Sequence, residues 1–492
     1  MLEGITEKIV NFTINTKFDD LPQETVNAVN RMVLDSIGCA LAGPIVERSK
    51  LAIELVEEFG GYPRASVIGA HRTSLDLAAF ANGELINALD YDYIGPLFPH
   101  VCPFVTPPCL AIGEKVHASG KEFILALALA HEIGGRIGLS LTPGKILKKE
   151  PPYYEEWPRS SQAYTFFGGV AGAGKLLGLN AKKMSNAFGI AGASAPVPSE
   201  AKNSQNSGPK IMLKYNSWSG WASQLATVAA LLANKGFTGD TTILDGELGF
   251  WKMIAAPSFK VDTLLGGLGE VWHVADIGYK FYPTCVLNHL GLEGINHIIK
   301  EHALNPDDIE EIVIKADSML ITPDRDGVDV QSFADVQFVN NYIFAIGAYH
   351  GRNPSPAWQM PTIYNSPEVK ALARKVKVEP HPKTDTFIIE SLKAGAWPHF
   401  SDTIVEISTK KKKYSTEILP AQGTSKLFQF EATSPRGNRA NPNLKADLID
   451  KFRVNASFSM LSSTKIEQII ETVDNLVELD DVTKLTRLLT IS

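Results

Sequence analysis

Residues 24–42 read ETVNAVNRMVLDSIGCALA, followed by Gly43 and Pro44. Val26, Val29, Val33, Ile37 and Leu41 recur at steps of three and four, the period of an amphipathic helix. Gly43-Pro44 stops it, because proline has no N–H to donate and its ring clashes with the preceding turn. The same period predicts helices at about 49–59, 74–89, 121–139, 168–177, 183–192 and 221–234, with few strand-like runs between them. The first half of the chain is therefore expected to be a helical body.

The pattern changes after about residue 269. Ile309-Glu310-Glu311-Ile312-Val313-Ile314-Lys315 and Thr403-Ile404-Val405-Glu406-Ile407-Ser408-Thr409 are β-branched and partly alternating, which predicts strands. Helical patterning at 285–302, 332–350 and 366–375 makes this region mixed α and β. Ser434-Pro435-Arg436-Gly437-Asn438 is turn chemistry, after which helical spacing returns at 443–452 and 464–478. The expected fold is mainly α: a large all-helical domain built from both chain ends, residues 1–268 and 431–492, with a smaller α+β lid domain inserted at 269–430. The cleft between two such domains is the usual place for a small-molecule site. The one charge run, Lys410 to Lys413, lies between strand-like segments and reads as a solvated hairpin turn.

A chain of 492 residues with 44% apolar and 21% charged residues is long enough for two or three globular units. Its 47 basic and 54 acidic residues give a charge of −7, which opposes general affinity for nucleic-acid backbones and anionic membranes, so neither is expected as a partner. Cys39, Cys102, Cys109 and Cys285 have no metal-binding or redox spacing and read as free thiols of a reducing compartment. Glu3 and Glu7 stand where a signal peptide needs basic and then apolar residues. The apolar stretch 123–142 is interrupted by His131, Glu132 and Arg136, which suits a buried helix and not a membrane span. The expected location is cytoplasmic.

Two motifs fail where their chemistry needs them. Gly169-Val170-Ala171-Gly172-Ala173-Gly174-Lys175 begins like a phosphate-binding loop, but Leu176 has no hydroxyl for a magnesium ion, so close helix packing is the better reading. His131-Glu132 lacks a histidine one turn on, since position 135 is Gly. Asp90-Tyr91-Asp92 with His100 has oxygen-rich ion-site chemistry, but no metal is expected there.

The informative cluster is Asn82-Gly83-Glu84-Leu85-Ile86-Asn87-Ala88-Leu89-Asp90-Tyr91-Asp92, followed by a loop through Pro96, Pro99 and His100. Two carboxylates at a helix end and a loop histidine place an acid/base group beside residues that orient and charge it. Lys202, Lys210 and Lys214 precede an apolar helix, where ammonium groups and free N–H groups attract the same anion. Tyr279-Lys280-Phe281-Tyr282-Pro283 sets a lysine among aromatics, suited to a lowered pKa or to a carboxylate partner.

Taken in order along the chain, several stretches resemble the MmgE/PrpD family: residues 33–43, the Asn-Gly to Asp-x-Asp segment, Gly174 to Leu179, Ile277 to Cys285 with His289, and Lys445 to Phe452. The family includes 2-methylcitrate dehydratase, cis-aconitate decarboxylase and iminodisuccinate epimerase. The resemblance implies an all-helical domain, an α+β lid, a homodimer, and chemistry on small polycarboxylates without metal or organic cofactor. Residue by residue, Asp90 matches the first Asp of the family's Asp-x-Asp-Asp motif and His100 its His-Pro histidine. Lys214 matches the lysine ahead of the central helix, Lys280 that of the Lys-x-x-Pro motif, and Tyr342 the tyrosine after the lid strand. Three positions depart: Tyr93 stands at the third acidic position, Val101 follows His100, and Arg159 falls where the decarboxylases have a second histidine.

These matches give an expected division of labour. His100 is the general acid or base, oriented by Asp90; Lys280 stabilises charge developing on a substrate carboxylate; Tyr342 is a proton donor. Lys214, Arg159, Asp92 and His289 bind substrate. The expected activity is that of a cofactor-independent lyase, first a dehydratase of a 2-methylcitrate-like acid. Epimerisation or decarboxylation of a related polycarboxylate is the alternative, and a non-catalytic carboxylate-binding homodimer is the reading from a different class.

Overall fold

The computed structural model describes residues 3–95, 100–141, 164–196, 219–256, 258–317, 320–321, 325–328, 330–384, 386–387, 390, 402–419 and 436–491, with the backbone of 146–147, 154–155 and 435. The opening stretch forms the helix Gln23–Ala42, begun by Pro22 and ended by a 3-10 turn at Gly43–Ile45. It is buried from Met32 through Ala42, so its apolar stripe faces helices on several sides. The helix Leu444–Ala456 crosses it where Gly38 lies against Phe452; a Cβ there would stand 3.0 Å from the ring. Around this pair lie Leu75–Ile86, Cys102–Val116, Gly120–Ser140, Phe166–Leu176, Ala181–Ala193 and Ser219–Asn234. Cys102–Val116, with Pro103, Pro107 and Pro108 in its sequence, is an additional helix; each of the others falls within a few residues of its expected bounds.

Buried apolar side chains form one large cluster that runs from Ile5 to Phe281 and takes in Leu444 to Leu489. A second cluster contains Tyr282 and residues from Leu292 to Ile407. Each fully buried Leu, Ile or Phe contributes about 1.5–3 kcal/mol, so the two chain ends are joined chiefly by this shared core. The second cluster sits against a four-stranded sheet in the order Val376–Pro380, Ile309–Ala316, Thr403–Thr409, Lys413–Ile418. The first pair is parallel and the others antiparallel. The helix His289–Glu301 packs on the sheet through Gly294, which lies against Val405.

Lys410 to Lys412 form the tight turn between the last two strands, closed by the Thr409 N–H donating to the Lys412 carbonyl. Two local expectations change. The helix expected at 332–350 is two, Phe333–Phe338 and Asn340–His350, because Val339 is extended and the Asn340 N–H donates to the Arg325 carbonyl. Val376–Pro380 is an additional strand, too short and too exposed to show alternation.

The phosphate-loop-like run lies in the buried helix Phe166–Leu176, and Lys175 donates to the carbonyls of Ile14 and Thr16 at 2.8 and 2.7 Å. Its glycines are contact points: Gly168 meets the Ala130 carbonyl and Gly134, and Gly172 meets the Cys109 thiol. The long helix Gly120–Ser140 is apolar and long enough to cross a membrane but is wholly buried in the fold. Within it Arg136 pairs with Glu132 at 2.6 Å and donates to the carbonyls of Gly266 and Val271. All four cysteines are free thiols.

Gly168→Ala forces two helix backbones apart. We expect a loss of about 2–3 kcal/mol in urea unfolding with the helical content kept; an unchanged midpoint would show that the crossing is not tight.

Candidate active site

The helix Leu75–Ile86 ends at Asn87, and the chain then turns sharply. Asp90 takes a left-handed backbone with φ +49°, a conformation non-glycine residues seldom adopt and one concentrated at functional sites. His100, just ahead of the helix Cys102–Val116, does the same with φ +56°. The two strained residues meet: His100 Nε2 lies 3.1 Å from Asp90 Oδ1, while Nδ1 lies 2.9 Å from Asp92 Oδ2. An ionised carboxylate only accepts hydrogen bonds, so a ring held between two of them satisfies both contacts only with a proton on each nitrogen. The Asn87 amide also lies 3.2 Å from Nδ1, but the two flanking carboxylates outweigh it and favour an imidazolium.

The surroundings agree. Lys280 donates to the Asp90 carboxylate at 2.6 Å and to its backbone carbonyl at 2.9 Å. Asp92 accepts from Asn87 at 2.9 Å and from the Cys102 thiol at 3.0 Å. Burial by itself would raise both aspartates, but Lys280 and His100 outweigh it at Asp90, and His100 with Lys280 outweighs it at Asp92, so both carboxyls lie below the ordinary range. At His100 burial works against the charged ring, yet Asp92 and the hydrogen bonds the ring donates to both carboxylates carry its pKa above the ordinary value.

Depth sorts these groups. The Asp92 and Lys280 side chains are fully buried, whereas Asp90 and His100 keep a sliver of exposure. Asp90, the neighbour of Nε2, and His100 are therefore the members of the cluster nearest its exposed side. Asp92, and not only the Asp90 expected to orient the ring, holds His100, since it bonds the Nδ1 nitrogen and is fully buried. Lys280 likewise neutralises Asp90 from beneath and does not face the exposed side. The three ligand atoms of Asp90, Asp92 and His100 lie within 4.8 Å of one another, the spacing of a metal site. Here the ring and the Lys280 ammonium supply the positive charge that such carboxylates attract.

The other expected site residues are placed differently. Tyr342 lies in the second core with its hydroxyl donating to the Trp358 carbonyl at 2.9 Å, so the expected proton donor is engaged in packing, and burial raises its pKa. His289 is fully buried, edge-on to Tyr282, and neither ring nitrogen has a hydrogen-bond partner among the described residues. Burial first, and then Lys280, push its pKa down to about 3, which leaves it neutral. It lies inside the fold and not on the exposed side of the cluster. Lys214 and Arg159 are outside the described residues. Asn87 and Cys102 were the partners missed from the sequence; Asn87 lies within the informative stretch, but nothing in its type or spacing marked its amide for Asp92.

The charge pattern fixes a stability window. Asp90 and Asp92 contribute stability that is present above the ordinary carboxylate range near pH 4 and is lost as pH falls through their lowered folded values. His100 contributes stability that is present below about pH 6.5 and is lost as pH rises through its raised folded value. Resistance to urea unfolding should be greatest between about pH 5 and 6.5, and His100→Asn should remove the alkaline decline. A wild-type decline that survives in His100→Asn would assign it to another group.

Comparisons with known proteins show what the chain as a whole is similar to. The profile described as the MmgE/PrpD N-terminal domain matches residues 7–261, and that of the MmgE/PrpD C-terminal domain matches residues 282–476. The chain is 27% identical to a cis-aconitate decarboxylase of Homo sapiens over 99% of its own length and 95% of that protein. It is 26% identical to that of Mus musculus over 99% and 94%. The cis-aconitate decarboxylase of Aspergillus terreus is 28% identical over 60% of each chain. Two family domains that together span most of the sequence, in the order expected from its motifs, place this chain in the MmgE/PrpD family.

Proposed function

We propose that the protein is a lyase acting on a small polycarboxylate, with His100 as the proton-transfer group and no metal or organic cofactor in the reaction. The observation that carries this reading is the His100 ring held between Asp90 and Asp92, with His100 and Asp90 partly exposed and Asp92 fully buried. A ring that starts out protonated gives a proton first. Asp92 then keeps the neutral ring in one tautomer through Nδ1–H, the role of an orienting carboxylate behind a general acid.

Within the lyase class, decarboxylation of a cis-aconitate-like acid uses one donor. The bond to the departing carboxylate breaks, its electron pair stays on carbon, carbon dioxide leaves, and the proton from Nε2 closes that carbon. The names of the full-length relatives favour this reading. Dehydration of a 2-methylcitrate-like acid needs two groups, a donor to the leaving hydroxyl and a base for the adjacent carbon proton. Among the described residues His100 is the group placed for transfer, which supports decarboxylation ahead of dehydration. Substrate carboxylates are proposed to be held by Lys214 and Arg159, whose cations suit them, with a second copy of the chain completing a homodimer in the cytoplasm.

Proton NMR of the purified protein with cis-aconitate, citrate, 2-methylcitrate and aspartate-derived diacids tests the reaction class. Carbon dioxide release with a new methylene signal from cis-aconitate supports decarboxylation. A vinyl signal from a hydroxy acid establishes dehydration, and solvent deuterium entering an unchanged skeleton establishes epimerisation. Binding without turnover of any candidate contradicts the enzyme reading. His100→Asn should lower kcat by about 10²–10⁴-fold with the fold kept; full activity in that variant would remove His100 from the chemistry.

A further inference from the structure

Behind the His100 cluster lies a second buried ion pair that the proposed reaction does not use. Lys451, on the helix Leu444–Ala456, donates to Asp35 Oδ1 at 2.7 Å, and Asp35 belongs to the helix Gln23–Ala42. Both side chains are almost wholly buried. A buried pair costs several kcal/mol of desolvation per ion before its attraction is counted, so a hydrophobic pair would serve packing at least as well. The remaining bonds indicate another use. Lys451 also donates to the Tyr91 carbonyl at 2.8 Å and lies 4.0 Å above the Tyr91 ring. Asp35 Oδ2 accepts the Tyr93 N–H at 2.9 Å. The pair thus grips the backbone immediately before and immediately after Asp92.

We propose that Asp35 and Lys451 are positioning residues for the reaction: together they fix the Asp92 carboxylate on His100 Nδ1 and balance the charge of the buried cluster. The inference rests on the reading of His100 as the proton-transfer group. Burial raises the Asp35 carboxyl against the pull of Lys451; with that carboxylate ionised by its Lys451 ion pair, Asp35, Asp90 and Asp92 match Lys280, Lys451 and the His100 imidazolium, three against three. Arg436 also acts on Tyr91 and is paired with Asp447 at 3.2 Å; the thiols, the tyrosines and His289 around the cluster stay neutral. Burial pushes up the thiols of Cys39 and Cys102 and the hydroxyls of Tyr91 and Tyr93, and it pushes His289 down. Removing one member of the pair therefore changes the field at His100 by a whole charge, and the sign depends on which member goes.

The test follows the imidazole of His100 by nitrogen NMR on histidine-labelled protein, assigned with His100→Asn, alongside the pH profile of kcat. Lys451→Met leaves an extra negative charge and should move the His100 midpoint up by about one pH unit; Asp35→Asn leaves an extra positive charge and should move it down by a similar amount. Loss of packing alone moves both variants the same way or neither, and either result overturns the proposal. The double variant leaves no unpaired ion and carries the test if a single replacement does not fold. It should keep the His100 midpoint near the wild-type value while kcat falls at least tenfold, because the Tyr91 carbonyl has lost its donor; an unchanged kcat overturns the positioning role. The NMR midpoint is independent of turnover. Opposite shifts at His100 with no matching change in the kcat profile would leave the clamp standing and refute the catalytic reading of His100 instead.

Discussion

The structure depends on charges confined together away from water. Asp90, Asp92 and Asp35 face Lys280, Lys451 and His100 in a nearly dry interior, where an unmatched charge costs far more than at the surface. Six ions close to neutral only when His100 carries its second proton. Under the proposed role of His100, proton donation and folding stability are set by one condition: the ring that gives the proton is the ring that completes the balance.

That condition explains why the fold has both chain ends in one body. The charged residues come from the helix Gln23–Ala42, the turn after Leu75–Ile86, the loop before Cys102–Val116, the segment at Lys280 and the helix Leu444–Ala456. No two consecutive elements could assemble them. The shared apolar core brings residues 35 and 451 together, and Gly38 against Phe452 lets their helices approach closely enough for the Lys451 ammonium to reach Asp35 and Tyr91. Strain at Asp90 and His100 is then held by the bonds that the cluster itself supplies.

Much of the body was legible because helical periodicity is local: the residues that define Gln23–Ala42 lie within five turns of one another. The strands Ile309–Ala316 and Thr403–Thr409 were equally plain from their β-branched runs. Asp90, His100 and Lys280 stood out as a set through residue type and family-like motifs. Their roles did not, because depth is not written in spacing: nothing in Asp-x-Asp says that the second carboxylate sits behind the ring and the first in front. Tyr342 illustrates the same limit, since a motif match does not show that its hydroxyl is already bonded to Trp358. Lys451 and Asp35 are 416 positions apart, and only the folded chain brings them together.

The most direct test of this account is neutron diffraction from deuterated crystals of the ligand-free protein at pH 6.5, where an ordinary imidazole is half protonated. The balance described here predicts deuterons on both His100 nitrogens, none on Asp90, Asp92 or Asp35, and three on each of Lys280 and Lys451. A His100 ring with a single deuteron, or a deuteron on one of the three carboxylates, would contradict it.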